Sequence, residues 1–83
     1  MRVDKFLSSV NILKRRSIAQ DMCDEGVVSI NNKKVKSSKE VRVGDIIRLH
    51  YLEYTKIYEV LALPTTKTIP KSQSSQYFRE IFE

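Results

Sequence analysis

Two clusters of basic residues have the residue types and spacing of a binding site. One is Lys14-Arg15-Arg16, and the other is Lys33-Lys34-Val35-Lys36, which directly follows Asn31-Asn32. Arginine makes planar, bidentate contacts to phosphate oxygens, and lysine adds a point charge. The chemistry that both clusters suggest is therefore the binding of phosphate groups. By residue type alone, each side chain could equally be an ordinary solvated surface charge.

The positive charge of the chain lies in its first half. The formal net charge is +5, and residues 1–50 contain eleven Lys and Arg against six Asp and Glu, whereas residues 51–83 contain four of each kind. This asymmetry favours a nucleic-acid partner. The length of 83 residues and the 41% hydrophobic content predict one globular domain. No apolar run is long enough to cross a bilayer, so we expect a cytoplasmic protein with no membrane partner.

The remaining reactive residue types form no catalytic constellation. His50 is the only histidine, and its place in an apolar run indicates a structural role. Cys23 is the only cysteine and lies on the apolar face of a predicted helix, which excludes a multi-cysteine zinc site. With two glycines, the chain has no Gly-rich phosphate loop. We therefore expect no enzymatic activity, no cofactor, no metal and no small-molecule substrate.

Two short amphipathic helices are predicted to position the first cluster. The first runs over Arg2–Val10, with Asp4 as its N-cap, because its apolar residues have helical spacing: Val3, Phe6, Leu7 and Val10. The second runs from about Arg16 to Glu25, although the capping-box spacing of Ser17 and Gln20 also allows a start at Ser17. Either register places the basic cluster at a helix start, where free backbone N–H groups favour an anion.

Strands are predicted to position the second cluster. Two consecutive asparagines between β-type runs are typical of a tight hairpin, because asparagine tolerates positive φ. The other predicted elements are a strand over 46–52, a return strand over 56–63, a loop over 64–75 and a helix over 75–83. The expected fold class is α+β, with two N-terminal helices packed on a small antiparallel sheet and a short C-terminal helix. We expect residues 1–50 to form the binding domain and 51–83 to complete the same single domain.

Four segments resemble, in order and spacing, the S4 RNA-binding domain, also called the αL motif: Arg2–Leu7, Lys14–Ala19, Gly26–Asn31 and Val43–Ile47. A free-standing S4 domain with a short extension is similar to the ribosome-associated family of the heat-shock protein of fifteen kilodaltons and RqcP. This chain departs from the family pattern at Asn32, where glycine is usual, and at Arg15, where Ser or Thr often caps the second helix.

The resemblance implies binding to ribosomal RNA of the large ribosomal subunit, with or without tRNA, when a nascent chain has stalled. Eight residues are the expected RNA contacts: Arg2, Lys5, Lys14, Arg15, Arg16, Lys33, Lys34 and Lys36. A helix and a hairpin suit recognition of RNA by backbone shape, and no exposed helix face carries a series of base-reading side chains. Two alternatives are a protein-interaction adaptor that uses the aromatic C-terminal helix and a DNA-binding regulator.

Overall fold

Two helices at the start of the chain pack against an antiparallel sheet. The computed structural model describes residues 1–65 and 69–82. The helices are α1 (Val3–Ser9) and α2 (Arg16–Asp24). The strands are β1 (Val28–Ile30), β2 (Lys33–Lys34), β3 (Ile46–His50), β4 (Thr55–Val60) and β5 (Phe78–Ile81). Their order in the sheet is β2-β1-β3-β4-β5, and all neighbouring strands are antiparallel. The predicted α+β class with two N-terminal helices is confirmed.

Strand register places one set of apolar side chains against the helices. Ile30 pairs with Ile47, which in turn pairs with Tyr58, so these three side chains share one face of the sheet. They belong to a single buried cluster that also contains Phe6 of α1 and Ala19 of α2. The core therefore fixes α1 and α2 relative to β1 and β3. None of the helices in the described residues is long and apolar enough to cross a membrane.

The start of α1 differs from the prediction. Arg2, with extended backbone, is the N-cap, and Asp4 lies in the first helical turn instead of capping it. The Asp4 side chain is fully buried. It is drawn inward because cationic and amide donors from α2 reach its carboxylate, which the local sequence pattern could not indicate.

The predicted helix over 75–83 is wrong. Phe78–Ile81 is β5, and it is preceded by a 3-10 helix over Lys71–Gln76 within the predicted loop and helix. Pairing with β4 gives the backbone N–H and C=O groups of this segment hydrogen-bond partners. A helix this short would be only marginally stable. The Tyr58 and Phe78 rings meet edge to face at 5.4 Å, and Lys56 pairs with Glu80 at 3.2 Å. Residues 66–68 of the predicted loop, and Glu83, lie outside the described residues.

Candidate nucleic-acid interface

The first basic cluster lies where the sequence placed it, at the start of α2. Lys14, Arg15 and Arg16 are all exposed. Arg15 is the N-cap, with extended backbone, and its side chain makes no capping hydrogen bond. The alternative start at Ser17 is excluded, because Gln20 bonds to Asp4 and forms no capping box. No side chain caps the start of α2, and the Ile18 N–H already donates to the Arg15 carbonyl at 3.2 Å. The N–H groups of Arg16 and Ser17 are therefore the ones that can bind an anion beside three cationic side chains.

Asp4 joins the two helices through its carboxylate. Its Oδ2 accepts hydrogen bonds from Arg16 Nε at 3.1 Å, Gln20 Nε2 at 3.0 Å and Arg2 Nη2 at 3.2 Å. Burial opposes ionisation of this carboxyl, but the hydrogen bonds from Gln20, Arg16 and the Lys5 backbone outweigh it, so the pKa of Asp4 lies below its usual value. Two of the predicted RNA contacts, Arg2 and Arg16, are thus held side by side around a buried negative charge.

Both arginines keep part of their charge accessible. The side chains of Arg2 and Arg16 are 43% and 44% exposed, whereas Asp4 is fully buried. A guanidinium has five donors, and Asp4 occupies only one nitrogen of each. The arrangement fixes the direction of both side chains. It leaves part of each guanidinium exposed to bind phosphate, whereas Arg2 Nε is itself buried and forms no hydrogen bond within the described residues.

The N-terminal segment brings α1 to the chain that follows the hairpin. The Val3 N–H donates to the Lys39 carbonyl at 2.7 Å, and the Val41 N–H donates to the Met1 carbonyl at 2.8 Å. The terminal ammonium of Met1 pairs with Glu40 at 2.6 Å. Residues 1–3 therefore lie along residues 39–41, and this contact sets the first helix beside the second basic cluster.

The hairpin turn forms as predicted, with both asparagines at positive φ. Asn31 has φ 51° and Asn32 has φ 71°. The Asn31 side chain accepts from the Ile46 N–H at 3.0 Å and donates to Asp45 Oδ1 at 3.0 Å. Asp45 also accepts from the Arg42 N–H at 2.9 Å. The turn is thus fastened to the start of β3, which gives the hairpin lysines a defined position.

The hairpin lysines line a groove with two further cations. The groove has a volume of about 720 Å³, and its cationic lining residues are Lys33, Lys34, Lys36, Lys39 and Arg42. All five are exposed. Sequence reasoning missed Lys39 and Arg42, although the high density of cations over residues 33–42 was a signal that the basic cluster extends past Lys36. Glu40 and Asp45 also line the groove.

The predicted contacts are not equivalent in the fold. Lys5 in α1 is only half-exposed. The Lys34 side chain lies beside Gly26, with Nζ 3.8 Å from the position that a Cβ would take there. It therefore extends toward the C-terminal end of α2 and away from Arg15 at the other end. Arg2 and Arg16 are the predicted contacts that tertiary structure joins, through Asp4. The Asp4 N–H also donates to the carbonyl of Ser37 at 3.4 Å, which brings the start of α1 to the residue after Lys36.

The two other reactive residue types, Cys23 and His50, are not among the lining residues of the hairpin groove. Cys23 is buried, and its burial, with smaller effects of Asp4 and Asp24, raises its thiol pKa to about 11. His50 is exposed at the end of β3, and its Nε2 shares a 2.9 Å hydrogen bond with the Ser29 hydroxyl. A thiol so rarely ionised is a poor nucleophile, which agrees with its interpretation as a core residue.

Comparisons with known proteins match the first half of the chain to a family model and nearly the whole chain to individual relatives. A family model of the S4 domain matches residues 1–47. The chain is 48% identical over 77 residues to the RQC P-site tRNA stabilizing factor of Helicobacter pylori strain J99, which covers 93% of this chain and 92% of that protein.

Two solved structures share the fold. Trimeric Heat Shock Protein 15 of Vibrio cholerae has a TM-score of 0.87 and 28% identity, covering 98% of this chain and 81% of that one. The solution structure of hypothetical protein HP1423 has a TM-score of 0.86 and 43% identity, covering 100% of this chain and 99% of that one. Both matches include β5 as well as the N-terminal helices, since they span nearly the whole chain.

Proposed function

Because the chain belongs to the S4-domain family of RQC P-site tRNA stabilizing factors, we propose that it binds ribosomal RNA and P-site tRNA on the large ribosomal subunit. The role is in quality control of stalled nascent chains. Family membership confirms the resemblance drawn from the sequence. The activity is binding rather than catalysis, it requires no cofactor, and it takes place in the cytoplasm.

The observation that carries this proposal is the ion-paired group of Arg2, Asp4 and Arg16. It holds two guanidinium groups beside each other at the starts of two different helices. Prior ordering of both side chains lowers the entropy that is lost when phosphate binds. A single buried carboxylate thereby supports a surface that recognises the spacing of phosphates in folded RNA.

We assign ten residues to the interface. Eight are the contacts expected from the sequence: Arg2, Lys5, Lys14, Arg15, Arg16, Lys33, Lys34 and Lys36. The other two, Lys39 and Arg42, line the hairpin groove together with the lysines of the hairpin. Bound phosphates release counterions, so affinity falls with salt in proportion to the number of contacts. A set this large predicts binding that is strongly dependent on salt.

The second half of the chain completes the same domain in this proposal. β4 pairs along the whole of β3, and β5 pairs along β4, so both extend the sheet that carries the hairpin. The adaptor alternative required an exposed aromatic helix over 75–83, and β5 occupies that region instead. The DNA-binding alternative is not favoured by the family.

The test replaces Arg15 with alanine and measures affinity for large ribosomal subunits that carry peptidyl-tRNA, over a series of salt concentrations. Arg15 is the best probe because it is exposed and makes no side-chain cap. We expect weaker binding and a log–log salt slope smaller by about 0.7–0.9 for the lost phosphate contact. The matched control is Lys71→Ala, which removes one positive charge from an exposed position on the 3-10 helix.

An Arg15→Ala variant with the affinity and salt slope of the native protein would exclude Arg15 from phosphate contact. If Lys71→Ala weakened binding as much, net charge alone would account for the effect. Equal affinity for duplex DNA and for structured RNA at the same salt concentration would count against the proposed RNA function.

A further inference from the structure

An apolar groove lies at the end of the molecule opposite the β1–β2 turn. β1 ends at Ile30, where the β1–β2 turn begins. The β3–β4 turn, residues 51–54, lies beside the other end of β1. There the His50 N–H donates to the Val27 carbonyl at 2.8 Å. The groove has a volume of about 520 Å³ and is lined by Met22, Glu25, Val27, His50, Tyr51 and Leu52. None of these residues belongs to the proposed RNA interface.

The β3–β4 turn presents an apolar side chain on an ordered support. Leu52 is fully exposed, at 102% of its reference area, and Tyr54 is 57% exposed. The Tyr51 N–H donates to the Tyr54 carbonyl at 2.8 Å, and the two rings stack with centroids 4.9 Å apart. Met22, Val27 and Tyr51 are half-buried, so the groove joins a half-buried apolar lining to the exposed side chain of Leu52.

Acidic side chains occur on both segments that line this groove, the C-terminal end of α2 with Glu25 and the β3–β4 turn. Four carboxylates at this end are exposed and form no ion pair among the described residues: Asp21, Asp24, Glu25 and Glu53. The C-terminal carbonyls of α2 add a partial negative charge at the same place. RNA phosphates are repelled from such a surface, whereas cationic side chains are attracted to it.

We propose that this groove binds a segment of a protein partner in which lysine or arginine side chains flank a bulky apolar one. The apolar side chain packs between Met22, Tyr51 and Leu52, and the cations face Glu25 and Glu53. This surface goes beyond the proposed RNA binding. None of the groove residues is an assigned RNA contact, and Lys34, beside Gly26, is the assigned contact that lies nearest to it. The protein segment and RNA therefore bind through different residues.

The test adds a short synthetic peptide of alternating lysine, leucine and serine to the isotope-labelled full chain. NMR records the amide signals of the chain as the peptide is added. We expect shifts in the amide signals of Met22, Glu25 and residues 50–54. Leu52→Ser should weaken peptide binding about tenfold, because apolar area is no longer buried. Glu25→Lys with Glu53→Lys should weaken it by at least as much. The matched control is Val43→Ser, at another exposed apolar turn position.

Two comparison peptides decide which property matters. Replacing every leucine by serine, or every lysine by glutamate, should each abolish the amide shifts. The proposal is overturned if the serine peptide binds equally well, if Leu52→Ser binds like the native chain, or if an RNA hairpin shifts residues 50–54 more than residues 33–36. Arg15→Ala leaves the groove intact, and Leu52→Ser leaves the basic residues intact. A failure of peptide binding therefore does not contradict the RNA proposal, and a failure of RNA binding does not contradict the peptide proposal.

Discussion

Asp4 Oδ2 accepts a hydrogen bond from Arg16 Nε at 3.1 Å, which ties the first turn of α1 to the first turn of α2. The carboxylate is fully buried and the guanidinium is 44% exposed. The pair therefore links the two helices and also directs the Arg16 guanidinium toward solvent. Mutations at the two ends of this link should have different effects.

Replacing Asp4 with asparagine removes the buried charge but preserves the size of the side chain. We expect the free energy of unfolding to fall by about 1–3 kcal/mol, because hydrogen bonds from two guanidinium groups lose their charged acceptor. Urea denaturation measures this loss. RNA affinity should also fall, since Arg2 and Arg16 are no longer held together. The control is Asp21→Asn, at an exposed position of α2, and equal stability of the two variants would contradict the assigned role.

The lowered pKa of Asp4 predicts an acid-sensitive stability. The folded pKa lies below the usual value of 3.8, so the unfolded chain binds the proton more tightly. The stabilisation is therefore fully present above about pH 5 and is lost as the pH falls through the folded pKa. Urea midpoints measured from pH 6 downward should fall less steeply for Asp4→Asn than for the native chain. Parallel pH profiles would show that Asp4 has no lowered pKa.

The two asparagines of the hairpin should respond oppositely to glycine. Asn32→Gly should raise the free energy of unfolding by about 0.5 kcal/mol, because glycine adopts positive φ without strain. Asn31→Gly should lower it by about 1 kcal/mol, because it removes the side-chain bonds to Asp45 and Ile46. Thermal denaturation of the two variants distinguishes these outcomes. Stabilisation by both substitutions would mean that the Asn31 contacts contribute nothing.

The raised pKa of Cys23 predicts a thiol that reacts slowly in the folded protein. Burial raises the pKa from 9.0 to about 11, so the thiolate fraction near pH 8 falls by about a hundredfold. Alkylation by iodoacetamide at pH 8 should be slow in buffer and fast in denaturing urea. The same rate under both conditions would contradict the buried position.

The stripe of Val3, Phe6, Leu7 and Val10 predicted α1, since helical periodicity is a local property that needs no partner. The hairpin turn at Asn31-Asn32 was equally predictable, because tolerance of positive φ belongs to the residue itself. The cationic residues could also be named from residue type. Local pattern failed at Phe78–Ile81, where apolar residues with helical spacing form a strand because the edge of β4 supplies hydrogen-bond partners.

The sequence by itself determined two amphipathic helices, a tight basic hairpin and an excess of positive charge in the first half, because these depend on side-chain chemistry and near neighbours. Tertiary structure alone decided that Asp4 is buried between Arg2 and Arg16, that residues 1–3 lie along residues 39–41, and that Lys39 and Arg42 join the hairpin groove. Such contacts join segments far apart in the chain. They form only when the core has fixed α1, α2 and β1 relative to one another.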